Sequence, residues 1–437
     1  MQRKISALMK EWKDSDDRKP LMIMGPRQVG KTYSAIQFAR ENYSHYVLFN
    51  FQESIKLHRI FEGDLDPYVL LKELSAYSQE TINEDTLIIF DEIQECEEAL
   101  NSLKYFCEDA PQYHIIAAGS LLGVAVKRRR MTVPVGKVRV IRMFPLSFRE
   151  FLRASDKATF EYVDHLEAIE KLPEIILNKL ILEYRRYMVC GGMPDAANAM
   201  LENMGTEAID NILQDILDLY ELDFSKYAEP REIPRIHAVW HSLPSQLAKE
   251  NRKFLFKVVK PGARSKDYED ALMWLEDAGM IYRISNITKP LLPLSAYEDL
   301  STFKLYASDC GLLRRLAKLP ASIIVSPTAN YTEFKGAMAE NAVLQSLMPM
   351  LKRDSPYYWS SESRAEVEFL LQWNEEIIPV EVKAEGCISG RSLSVYKDKF
   401  APKHRIRLSF LNLQYNCGLL SCPSPMTDWL PRLLAMC

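Results

Sequence analysis

Gly25-Pro26-Arg27-Gln28-Val29-Gly30-Lys31-Thr32 (GPRQVGKT) decides the fold class. A short apolar run, Leu21–Met24, precedes it, and a helical pattern carried by Ala35, Ile36, Phe38 and Ala39 follows at once. Strand, glycine loop, helix is the setting in which backbone N–H groups wrap phosphates at a helix N-terminus. The residues from Gly25 to Thr32 are therefore expected to cradle ATP. Lys31 would reach the β/γ oxygens and Thr32 would ligate Mg2+.

A partner motif follows at Leu87-Ile88-Ile89-Phe90-Asp91-Glu92. Its apolar residues suit a strand buried on both faces of a parallel sheet. Asp91, at the strand's end, would hold Mg2+ through water, and Glu92 is placed to polarise the attacking water. Further strands are expected at residues 46–51, 114–118 and 138–143. Ser120, just past the 114–118 strand, either senses the γ-phosphate or caps the next helix. Strands alternating with helices give an α/β, doubly wound parallel sheet with its ligand at the strand C-termini. Between the last two strands, residues 127–142 (KRRRMTVPVGKVRVIR) hold seven basic side chains and no acidic one. Such a stretch could supply an arginine finger to a neighbouring copy in a homo-oligomer or contact a phosphate backbone, or could be a solvated loop.

Composition bounds the alternatives. At 437 residues, 47% hydrophobic and 26% charged, the chain is that of an ordinary globular protein, not a disordered or fibrous one. Lys and Arg number 55 against 59 Asp and Glu, so the chain is no bulk polycation. Eight scattered cysteines form no CxxC pair and no Cys/His cluster. Neither a structural zinc site nor a disulfide scaffold is expected, and a cytoplasmic setting fits reduced thiols. The N-terminus lacks an apolar signal core. The most apolar stretch, residues 115–126, is about 12 long, where roughly 20 are needed to span a bilayer. No membrane partner is expected.

These motifs, together with AAGSLLG, PVGKV…MFPLSFREFL, YMVCGGMPDA, GARSKDYEDALMWLEDAGMIYRI, FKLYASDCGLL and AEVEFLL…IIPVEVKAE, resemble a known family. It comprises the prokaryotic P-loop ATPases of AAA+/STAND type that carry a C-terminal DUF4143-type region. The resemblance implies a P-loop ATPase core (residues 1–155), a helical lid (156–232), a winged-helix-like segment (233–325) and a PD-(D/E)XK nuclease-like domain (326–437). Gly192-Met193-Pro194 resembles the motif with which STAND-type ATPases set a proline, here Pro194, against the nucleotide. From the residues alone it is a tight turn between helices.

In the middle segment, a helix from Ser265 to Ala278 stopped by Gly279, then strands at 280–284 and 303–307, follow winged helix-turn-helix order. The would-be recognition helix is acidic (Asp267, Glu269, Asp270, Glu276 and Asp277 against Lys266), which should repel a DNA groove. The segment binds DNA only through upstream basic residues such as Lys249, Arg252 and Lys253, or else it is a docking module.

The pattern restarts after residue 331. A helix holds Glu340, a strand at Glu366–Trp373 holds Glu368, and a strand at 376–384 holds Glu381 and Lys383 on one face, because strand side chains repeat every two residues. A helix glutamate, a strand carboxylate and E-x-K resemble the PD-(D/E)XK nuclease core. There Glu368 and Glu381 would hold Mg2+, Lys383 would activate water and Glu340 would complete the shell. Glu368 stands where that family usually has Asp. Arg391, Lys397, Lys399, Lys403, Arg405 and Arg407 lie just beyond and suit a DNA or RNA backbone. The combined expectation is an ATPase whose nucleotide state controls a nuclease-like domain. The alternative is an ATP-driven signalling switch or scaffold whose appended domains only dock proteins.

Overall fold

The computed structural model describes residues 1, 3–124, 134, 136–249, 252–326, 332–351, 354–361, 365–384 and 390–437. The chain divides into two compact units, Met1–Phe144 with Asp277–Gly279, and Pro145–Glu276 with Met280–Cys437.

In the first unit β1 (Leu21–Met24), β2 (His45–Asn50), β3 (Thr86–Asp91), β4 (His114–Gly119) and β5 (Arg139–Arg142) form one parallel sheet in the order β2-β3-β4-β1-β5. Every residue of β3 is buried, as the apolar run required. Crossover connections must return each chain to the same end, and helices Lys31–Asn42 and Glu97–Asp109 accompany this sheet. Phe51, Phe61 and Phe90 meet edge to face, with ring centroids 5.4–5.8 Å apart, and anchor the core beside β3. Because β1 lies between β4 and β5, with β2 at the far edge, the P-loop leaves β1 at a switch point, where α/β sheets place ligands.

One buried contact makes this unit sensitive to acid. The His114 ring, at the start of β4, lies 2.6 Å from the Tyr43 hydroxyl, and burial lowers its pKa from 6.5 to about 4. The unfolded chain therefore takes up a proton near pH 6.5 that the folded chain refuses until about pH 4. Stability contributed by neutral His114 is full above that window and is lost as pH falls through it. A His114→Gln variant should show a smaller drop in melting temperature between pH 7 and pH 5 than wild type, as read by calorimetry.

In the second unit, helices Glu174–Cys190, Pro194–Leu201, Thr206–Tyr227 and Ile233–Leu247 precede a mixed sheet. Its strands are β6 (Ile281–Ile287), β7 (Glu298–Ala307), β8 (Tyr357–Ser360), β9 (Glu366–Trp373), β10 (Glu376–Val382), β11 (Arg405–Ser409), β12 (Gln414–Asn416) and β13 (Leu419–Pro423). They are ordered β12-β13-β11-β10-β9-β8-β6-β7. The chain is thus α/β, with a parallel P-loop sheet and a separate mixed sheet.

The sequence-based boundaries at 155/156, 232/233 and 325/326 do not coincide with this division. The ribbon of β6 and β7 joins the larger sheet, where β6 pairs with β8 at Asn286 and Tyr358. The expected boundary at 325/326 therefore cuts a continuous sheet. The first unit ends at Phe144 rather than 155, since the Leu146 N–H donates to the Gly192 carbonyl and the Tyr187 hydroxyl to the Leu146 carbonyl.

Helix Ser265–Asp277 ends before Gly279, whose φ of +72° suits a glycine terminator. Its Glu269 and Glu276 both pair with Arg283 of β6, at 2.7 and 2.8 Å. Part of the acidity that argued against a DNA groove thus serves to seat this helix on the ribbon. Among the described residues, no helix is long and apolar enough to cross a membrane.

Candidate active site and C-terminal acidic centre

The nucleotide site is built where β1 passes into helix Lys31–Asn42. Gly30 caps that helix in the left-handed region at φ +87°, which a side chain would strain. Gly25 is fixed by close approach, since a Cβ there would stand 2.2 Å from the Met143 carbonyl oxygen. Lys31 is buried, and its ammonium donates to the Gly25 and Pro26 carbonyls at 3.0 and 2.7 Å. Val29 is buried while Gln28 is exposed, so the loop has one face in the core and one outward.

Motifs far apart in sequence meet here. The Thr32 hydroxyl donates to Asp91 Oδ1 at 2.8 Å, placing the two expected Mg2+ ligands side by side. Burial pushes the Asp91 carboxyl above its ordinary pKa, against the Thr32 hydrogen bond and the charge of Lys31. An anion held in so dry a place favours a cation beside it.

Glu92 is held differently. Its backbone is left-handed, at φ +50°, which turns the side chain away from the line of β3. Ser120 Oγ donates to Glu92 Oε1 at 2.9 Å, and Gln94 Nε2 donates to Oε2. Ser120 directly follows β4, and its hydroxyl is hydrogen-bonded to Glu92. Sequence reasoning missed Gln94. Its side chain is buried, and a Cβ at Gly119 would meet Gln94 Oε1 at 2.4 Å. Arg128, Arg129 and Arg130 of the basic loop lie outside the described residues.

Gly192-Met193-Pro194 is a tight junction within the second unit. The Gly192 N–H donates to Asp309 Oδ2 at 2.6 Å, and Gln345 and the Leu312 N–H also donate to that carboxylate. A Cβ at Gly191 would stand 2.1 Å from Asp309 Oδ1, so this glycine is dictated by packing. Pro194 occupies the first position of helix Pro194–Leu201, where a missing N–H costs nothing. Burial pushes the Asp309 carboxyl up, against three hydrogen bonds from backbone N–H groups and one from Gln345.

The C-terminal residues expected to act together do gather around one centre. Glu340 from helix Thr332–Leu347, Glu368 from β9 and Glu381 from β10 are all buried, and Lys383 Nζ lies 3.1 Å from Glu381 Oε1. Burial, and then the neighbouring Glu340 charge, push the Glu368 carboxyl well above the ordinary carboxylate range, against Lys383 and Lys304.

Basic side chains reach into the same centre. Arg252 pairs with Glu340 Oε1, the Tyr306 hydroxyl donates to Glu340 Oε2 at 2.8 Å, and Arg407 Nε donates to Glu381 Oε2 at 3.3 Å. The basic clusters expected to face nucleic acid are therefore thinned. Arg407 sits inside, Arg405 is buried and donates to the Cys417 carbonyl, and Arg252 is spent on Glu340. Alternation along β11 puts Arg405 and Arg407 on the same side of the sheet.

Comparison with known families bears on this arrangement. The model of an AAA domain matches residues 17–152, the stretch that holds the P-loop, Asp91, Glu92 and Ser120. The chain carries an AAA-type ATPase domain. It is a P-loop ATPase, binding and hydrolysing ATP. Two domains of unknown function follow the AAA domain, DUF8612 over residues 181–322 and DUF4143 over residues 335–420.

Among solved structures, the Walker-type ATPase of Pyrococcus abyssi is similar at 15% identity and a TM-score of 0.43, covering 72% of this chain and 95% of that one. The Aeropyrum pernix ORC2 protein, in ADPNP–ADP complexes, gives 15% and 0.37, covering 74% and 92%. The Thermotoga maritima RuvB Holliday junction branch migration motor gives 12% and 0.27, covering 64% and 87%. No curated protein sequence matches the chain.

Proposed function

We propose that this P-loop ATPase is Mg2+-dependent and of STAND type, and that its nucleotide state controls a nuclease-like C-terminal region that engages DNA or RNA. The hydrolytic part rests on one observation above all, the Ser120 and Gln94 hydrogen bonds that aim Glu92. A residue used only to shape a strand end would not need both carboxylate oxygens fixed. Thr32 and Asp91 are the oxygens that fit Mg2+, which would neutralise phosphate charge when bound. Lys31 binds the β/γ oxygens, Glu92 accepts the proton of the attacking water, and Ser120 and Gln94 keep Glu92 in line. Pro194 would carry the nucleotide state into the lid.

At the C-terminal centre the fit to a metal is partial. Glu381 Oε1 is buried and faces the Lys383 ammonium at 3.1 Å, and burial, then the Glu340 charge, holds the Glu368 carboxyl up, so both suit a divalent cation. Glu340 does not fit the shell, because Arg252 and Tyr306 already take both its oxygens. With Glu368 and Glu381 as ligands, the metal would supply a Lewis acid, and Lys383 would orient water.

A second reading, an ATP-driven switch or scaffold that docks proteins, is favoured by the same ion pairs, since Arg252 and Arg407 neutralise two of the carboxylates without any metal. Incubating the full chain with single- and double-stranded DNA and RNA, with Mg2+ or Mn2+ and with and without ATP, separates the two. The nuclease reading expects ATP-dependent cleavage that disappears in Lys383→Ala and in Glu381→Gln. Intact substrates under every condition, with no binding that weakens steeply as salt rises, would leave the docking reading.

A further inference from the structure

We propose that Glu221, His237 and His241 form a zinc-binding site that braces helix Thr206–Tyr227 against helix Ile233–Leu247. His237 and His241 are four residues apart on one helix and so share a face. Glu221 reaches that face from the neighbouring helix. Its Oε2 lies 3.6 Å from His237 Nδ1 and its Oε1 lies 3.2 Å from His241 Nε2. One ligand atom from each of the three residues falls within 4.8 Å of the others.

The spacing suits a small tetrahedral ion. With zinc–ligand bonds of about 2.0–2.1 Å, neighbouring ligand atoms of a tetrahedron stand about 3.4 Å apart. The two nitrogen–oxygen distances, one to each Glu221 oxygen, lie on either side of that value. The donor set discriminates as well. Imidazole nitrogens suit zinc and its transition-metal neighbours, whereas Mg2+ and Ca2+ favour oxygen alone. The His237 and Glu221 side chains are each 31% exposed and that of His241 is 54% exposed, so an ion can enter from solvent and keep a fourth position open to water.

The role is a brace, not hydrolysis. Between the histidines stand Ala238, Val239 and Trp240, so no carboxylate sits on the intervening turn to act as a base. On its inner side the His237 ring packs edge to face on Phe224, which packs on Trp274 in turn. An ion would thus pin the helix pair over an aromatic core. Cysteine spacing could not reveal this site, because none of its ligands is a cysteine.

The test uses the purified full chain, stripped with a chelator and titrated with Zn2+ by calorimetry in excess Mg2+, which occupies oxygen-only centres. One zinc per chain is expected. A His237→Ala/His241→Ala variant, checked for folding by circular dichroism, should bind zinc at least about 100-fold more weakly. Glu221→Gln should weaken it less. Co2+ added to the wild-type chain should give visible absorption of a four-coordinate, nitrogen-ligated ion, whatever the variants do. A wild-type chain that takes up no zinc, a Co2+ spectrum of six oxygen ligands, or equal zinc affinity in the wild type and the double variant would overturn the proposal.

Discussion

Arg252→Ala is expected to destabilise the second unit by about 3–5 kcal/mol, the usual cost of stripping one partner from a buried ion pair. Glu340 is 2% exposed, and without Arg252 its carboxylate would keep only the Tyr306 hydroxyl while facing Glu368. The Arg252 guanidinium is itself held charged by Glu340. Pairing Arg252→Met with Glu340→Gln should recover much of the loss, because no bare charge remains and the amide still accepts from Tyr306. Lys403 and Glu376 also form an ion pair, at 3.2 Å, but Lys403 is 72% exposed. Lys403→Ala should therefore change stability by less than about 1 kcal/mol. Urea midpoints of wild type and these variants measure all of this. Equal midpoints for wild type and Arg252→Ala would show that the Arg252–Glu340 pair contributes nothing.

Glu92→Gln is expected to lower ATP turnover by about 10²–10⁴-fold, the range a positioned general base supplies. Affinity for ATP should stay near wild type, since in the proposed mechanism the P-loop and Lys31, not Glu92, hold the phosphates. Ser120→Ala should lower turnover by a smaller factor, because the proposed base Glu92 remains but loses the hydrogen bond that aims it. Lys31→Ala should act on binding instead, by removing a charge-assisted contact to the phosphates. Steady-state phosphate release and equilibrium nucleotide binding, measured on the same preparations, separate these effects. A Ser120→Ala enzyme with full turnover would show that the hydrogen bond is only structural.

How much of the molecule is legible in its sequence follows from how locally each feature is determined. The P-loop is legible because glycines, lysine and threonine do their work within one turn of backbone. The β3 strand is legible because burial on both faces leaves a continuous apolar run. Alternation along β10 likewise puts Glu381 and Lys383 on one side, since a period of two residues needs no knowledge of the neighbouring strands.

Features that depend on long-range approach are not legible. Arg252 and Glu340 are 88 residues apart, and nothing near either residue marks the other as its partner. The sequence leaves Ser120 as a γ-phosphate sensor or a helix cap, and its hydrogen bond to Glu92 depends on how β4 lies beside β3. The pairing of β6 with β8 is equally invisible, because a two-stranded ribbon looks the same in sequence whether or not a third strand joins it. Asp309 has a local sign, a polar residue just ahead of helix Cys310–Leu316, but its grip on Gly192 has none.

Hydrolysis of ATP at the P-loop with Glu92 as base is tested most directly by the nucleotide left on the protein. Wild-type chain and Glu92→Gln chain are each incubated with ATP and Mg2+, freed of unbound nucleotide by rapid gel filtration, denatured, and their bound nucleotide identified by chromatography. Wild type should carry ADP, and Glu92→Gln should carry ATP in near-stoichiometric amount. ADP on both proteins in equal amount would contradict the role assigned to Glu92.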